Sequence, residues 1–166
     1  MKNNFKALVM HLLIMVFSHM FLFIFVATAP KIGQYTAHII SRIFIGVSFL
    51  LAYVLSGTLL DTNTNKKYDF LAGVLVAAIG ASLWIYTMTI AGGNLLTAIP
   101  EELSEYWILT NIYHLPFVFV RFLFGLPSTP LSSLVMSFLP TVLMGLGLKY
   151  KRLRSANATG SRWLKV

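Results

Sequence analysis

The chain has 166 residues, of which 57% are hydrophobic and only 11% charged; its formal net charge is +8, its mean hydropathy is +0.78 and it has no cysteine. A soluble domain carries roughly 25% charged residues, so this chain cannot cover its own surface in water, which excludes a soluble enzyme, a disordered tail and a disulfide scaffold. The positive charge does not sit on a soluble fold, so no nucleic-acid partner is expected.

A helix needs about 20 apolar residues to cross the roughly 30 Å hydrocarbon core of a bilayer. No charge falls between Lys6 and Lys31, and residues 7–28 form the first expected span. Lys2, Lys6 and Ala27-Thr28-Ala29 resemble parts of a secretory leader. The apolar run, however, exceeds the usual core of about 7–15 residues, which favours a retained anchor. Pro30 would also follow the cut, where a peptidase tolerates it badly.

The second expected span is 38–60, with Arg42 in its first turns. Steps of three and four place His38, Arg42, Tyr53 and Ser56 on one stripe, predicted to face the bundle interior. The third span is 70–91, stopped by Gly92-Gly93. Its Gly73, Ala77 and Ala81 recur every four residues, a spacing that lets a second helix approach closely. These three are the expected helix-packing residues, and a leucine at position 77 should overpack the contact. Asp61, Lys66, Lys67 and Asp69 read as the solvated charges of the intervening loop.

The segment 106–126 is apolar enough to insert, yet it carries Asn111, His114, Pro116 and Arg121. Ser104, Trp107, Asn111, His114, Val118 and Arg121 follow helical steps, with Glu101 and Glu105 near the start of the stripe. Pro116 removes a backbone donor and should kink the helix near Ile112. Tyr106, Trp107 and Tyr113 suit the membrane interface. Residues 131–148 are the last clear span; Pro140 inside it is tolerable where neighbours satisfy the freed carbonyl.

Loops facing the cytoplasm collect Lys and Arg. With the N terminus inside and four crossings, ten basic residues lie inside and three (Lys31, Arg42 and Arg121) outside. Five crossings from the same start give five inside and eight outside. The expected fold is therefore all-α: an integral membrane bundle of four transmembrane helices plus an outer re-entrant or interfacial helix, five crossings being the alternative. Residues 1–154 form the single transmembrane domain. Residues 155–166 are a polar, basic cytoplasmic tail or a non-native remnant. The expected location is a bacterial cell membrane, multi-pass, with both termini cytoplasmic.

Intramembrane polar groups are costly and prompt a functional question. His38, Arg42, Glu105, Asn111, His114 and Arg121 are the candidate ligand-binding residues. Two arginines answered only by loop carboxylates favour an anionic lipid or small anionic ligand. His11 and His19 lie eight residues apart, about 12 Å in height, and no histidine pair has metal-ligand spacing. No metal, cofactor or catalytic residue is expected. In size, and in a small-residue ridge, the chain resembles the substrate-binding subunits of energy-coupling vitamin transporters. Those have six spans and carry the ridge on the first helix, so no residue role is transferred. The leading expectation is a non-catalytic subunit that binds a ligand or a larger membrane partner, in transport or its regulation. The alternative is an outer-leaflet enzyme using His114, Arg121 and a glutamate on a lipid or lipid-linked substrate.

Overall fold

The computed structural model describes residues 2–63 and 65–160. It contains α1 (Lys2–Thr36), α2 (Ile39–Thr58), α3 (Val74–Ala91), α4 (Ile108–Tyr113), α5 (Leu115–Leu123) and α6 (Pro130–Gly160). Short 3₁₀ segments, Lys66–Leu71 and Glu101–Trp107, lead into α3 and α4. Four helices are long and apolar enough to cross a membrane: Lys2–Tyr35, Ile39–Thr58, Lys66–Ala91 and Pro130–Ala156. Their outward faces are apolar; Phe17, Phe23 and Phe44 are each more than two-thirds exposed. Such a surface suits hydrocarbon and is unfavourable in water.

The helices overrun the expected spans because a helix stops where its hydrogen bonding stops, not where a bilayer ends. α1 continues through Pro30, which lies beyond the expected first span. α6 continues six residues past Arg154, through the start of the expected tail, to Gly160. Residues 161–166, and with them the rest of that tail, lie outside the described residues.

α6 is the central helix and packs on both α2 and α3. Against α2 the approach is backbone to backbone. A Cβ on Gly57 would collide with the Met144 carbonyl, and one on Gly147 with the Val54 carbonyl. Against α3, Gly73 lies on Thr141, whose hydroxyl donates to the Gly73 carbonyl at 2.7 Å. One end of the bundle is basic and tied by polar contacts. Lys6 pairs with Asp61 at 2.9 Å and Arg152 with Asp69 at 2.9 Å, while Lys151 donates to the Leu60 carbonyl.

At the opposite end the Ile99 amide donates to the Ser128 carbonyl and the Leu131 amide to the Leu95 carbonyl. These bonds hold together the loops on either side of residues 101–123. Between them, α4 runs down α3: the Thr110 hydroxyl meets that of Thr87 at 2.8 Å, His114 lies against Gly80, and the Tyr113 hydroxyl donates to the Val76 carbonyl. α5 then climbs α2. Phe117 stacks on Tyr53, Phe119 packs edge-on against Phe49, Phe21 and Phe25, and Phe124 covers Gly46. The segment is a helical hairpin that leaves and returns at one end of the bundle. It turns at Tyr113–Leu115, one residue or so beyond the expected kink, because Pro116 can neither donate to the Ile112 carbonyl nor fit its ring beside it.

Candidate functional site

The hairpin adds Thr110, His114 and Arg121 to the polar side chains that the long helices already bury, among them His11, Ser56, Thr87 and Ser137. His114 is 1% exposed and His11, on α1, is fully buried. The His114 Nδ1 lies 2.8 Å from the Thr110 carbonyl. A carbonyl only accepts, so Nδ1 carries the proton and the neutral ring presents Nε2 as a bare acceptor. The His11 Nδ1 shares a hydrogen bond of 3.0 Å with the Tyr53 hydroxyl, and the His11 ring packs 4.5 Å from that of Tyr113. Tyr113 in turn lies edge-on to His114. The result is a continuous interior cluster, Tyr53–His11–Tyr113–His114, contributed by α2, α1 and the turn of the hairpin.

The Nε2 atoms of both imidazoles are buried and neither makes a hydrogen bond of good geometry among the described residues, although the Tyr113 backbone carbonyl approaches the His11 ring. A buried polar atom left unpaired costs about 1–3 kcal/mol, and such atoms in native structures usually meet a water or a ligand. Hydroxyls line the cluster's surroundings: Thr87 and Thr110 pair with each other, and Ser137 faces the same side of Gly80 as the His114 ring.

The residues predicted to share one site are distributed over several places. Asn111 is half-buried and its Oδ1 also has no partner. Arg121 is buried at the top of α5, where Nη1 reaches the Ser132 hydroxyl at 3.4 Å. Arg42 is half-buried on the wall of an open groove of about 390 Å³ between α1 and the end of α5, lined also by Phe25, Ala29 and Phe122. His38 is exposed and its Nδ1 caps α2 through the Ile40 amide. Glu105 is exposed on the 3₁₀ segment beside α3 and α4. Among the described residues, every ion pair lies at the basic end, and none joins Arg42 or Arg121 to Glu101, Glu102 or Glu105. His114 and Arg121 are buried, whereas Glu101, Glu102 and Glu105 are exposed.

Of the packing ridge, Gly73 and Ala77 are buried and Ala81 is half-buried. Gly73 and Gly80 meet Thr141 and Ser137, so the helix received by this face is α6 of the same chain. Trp107 and Tyr113, expected at the interface, are buried in the bundle. The hairpin turns inward and takes them with it. His11 was visible in the sequence only as a histidine on a span; its role depends on how deeply a distant segment inserts, which no local pattern encodes.

Comparison with protein-family models, with curated proteins and with solved structures finds no match to this chain.

Proposed function

We propose that the chain is a small multi-pass membrane protein acting as a non-catalytic ligand-binding or partner-binding subunit, in transport or its regulation. In this reading the four long helices cross the bilayer and the α4–α5 hairpin is re-entrant from the outer side. The basic end, with Lys2, Lys6, Lys66, Lys67, Lys149, Lys151, Arg152 and Arg154, faces the cytoplasm of a bacterial cell, in keeping with the distribution of Lys and Arg in membrane proteins.

The observation that supports the reading is the pair of buried imidazoles whose Nε2 atoms make no hydrogen bond of good geometry among the described residues, one of them delivered by a hairpin that leaves and returns at one end of the bundle. Irregular backbone at membrane depth is tolerated where it is buried in protein or lines a cavity. Ionisable residues there commonly mark a substrate or ion path. No carboxylate accompanies the cluster among the described residues, and the close approach of Gly80 and Ser137 to the His114 Nε2 limits the occupant to a neutral molecule little larger than water. An anion is better matched to Arg42 in its groove near the hairpin's exit.

The test is native mass spectrometry of the protein released from membranes in mild detergent. A small adduct should accompany the wild type and fall about tenfold or more in His11→Phe and His114→Phe, as loss of one hydrogen bond in an apolar site implies. His19→Phe should keep it, because among the described residues His19 bonds to the Met15 carbonyl of its own helix and to no group of the cluster. Equal occupancy in all three variants rules the interior site out.

A further inference from the structure

At the basic end, a cleft of about 460 Å³ opens between the start of α1 and the start of α3. Its walls carry Lys2, Asn4, Asn63 and Tyr68, together with Asp61. It continues into an apolar groove of about 510 Å³ floored by Phe5, Val74, Leu75 and Ala78. Lys2, Asn4 and Val74 belong to both, so the two are one amphipathic channel running from the polar end onto the helix flank. Its apolar half is open to the surroundings, with Phe5 66% and Val74 44% exposed.

Charge and hydrogen bonding narrow the occupant. Asp61 is held by Lys6 at 2.9 Å and approached by Lys2 at 3.9 Å. One carboxylate thus faces two ammonium groups, and the Lys2 side chain, 81% exposed, keeps donors for another anion. Asn4 lines both halves of the channel, and its Oδ1, which has no partner among the described residues, reaches the cleft by rotation of the side chain. It calls for a donor. An anion that also donates a hydrogen bond and trails an acyl chain meets all three conditions.

We infer that this channel binds an anionic glycerophospholipid with a hydroxyl-bearing headgroup. Its phosphate sits at Lys2, its headgroup hydroxyl on Asn4, and one acyl chain lies along Phe5, Leu75 and Ala78. The inference rests on the proposed insertion with the basic end in the anionic leaflet. A choline headgroup, with no donor and no net charge, fits poorly. So does a soluble phosphate, which leaves the apolar half empty.

Native mass spectrometry of the purified full chain tests this, titrated in detergent with dioleoyl phosphatidylglycerol, dioleoyl phosphatidylcholine or glycerol phosphate. Phosphatidylglycerol should be retained about tenfold better than phosphatidylcholine, and glycerol phosphate should not be retained, since charge-assisted hydrogen bonds and acyl burial act together. Lys2→Gln and Asn4→Leu should each lower that preference about fivefold. Lys66→Gln, in a separate cleft beside Arg152, should leave it unchanged. Circular dichroism of each variant confirms that the helices persist. Equal retention of the two lipids, or equal loss in Lys66→Gln, overturns the assignment while leaving the interior His11–His114 site standing. Failure of the wild type to partition into vesicles overturns the membrane reading itself and the lipid site with it.

Discussion

A Cβ placed on Gly80 would fall 2.8 Å from the Nε2 of His114 and 3.1 Å from the Cβ of Ser137. The third helix, the central helix and the turn of the hairpin therefore meet at a point with no room for a methyl group. Gly80→Ala should force the imidazole or α6 to shift and cost about 1–3 kcal/mol, the usual range for overpacking. Thermal unfolding in detergent measures it. An unchanged midpoint would mean that the hairpin does not seat against α3.

The α2–α6 contact is less forgiving. The atoms that a Cβ on Gly57 or Gly147 would meet are the carbonyls of Met144 and Val54, which cannot rotate aside as a side chain can. Gly147→Ala should therefore destabilise more than Gly80→Ala in the same melts. The reverse order would show that the closest helix approach lies elsewhere.

At the basic end the hydrogen bond from Lys6, aided by the charges of Lys2 and Lys151, holds the Asp61 carboxyl below its ordinary value of 3.8. A carboxyl whose folded value is depressed stabilises the fold fully above the unfolded value and loses that contribution as pH falls through the folded one. The melting midpoint of the wild type should thus drop as pH is lowered below about 3.8, with a smaller drop in Asp61→Asn. Superimposable profiles would remove the ion pair from the stability of this end.

The four long helices were legible because each coincides with an apolar run of about 18 residues or more with no charge in it, which is the length a crossing needs. Their ends were not, since α1 passes Pro30 and α6 passes Arg154 on backbone hydrogen bonding that hydropathy does not report. The break in 106–126 was readable from Pro116. The depth of the hairpin was not, and that depth decides which groups meet. It brings His114 into the cluster that includes His11 while leaving Glu105 on the surface and Arg121 at the rim. The ridge of Gly73 and Ala77 was visible because its residues repeat every four positions. Gly57 and Gly147 were not, because their backbone-to-backbone contact comes from one glycine on each of two helices distant in sequence.

The interior site requires that the hairpin return to the end from which it came. Cysteine is absent from the chain, so single substitutions Lys67→Cys, Leu96→Cys and Leu126→Cys each report alone. All three positions are exposed, Leu96 and Leu126 flanking the hairpin and Lys67 at the basic end. Labelling of sealed vesicles with a membrane-impermeant maleimide should modify positions 96 and 126 from the same side and position 67 from the other. Labelling of 96 and 126 from opposite sides would make 106–126 a fifth crossing and would contradict the re-entrant hairpin on which the interior site depends.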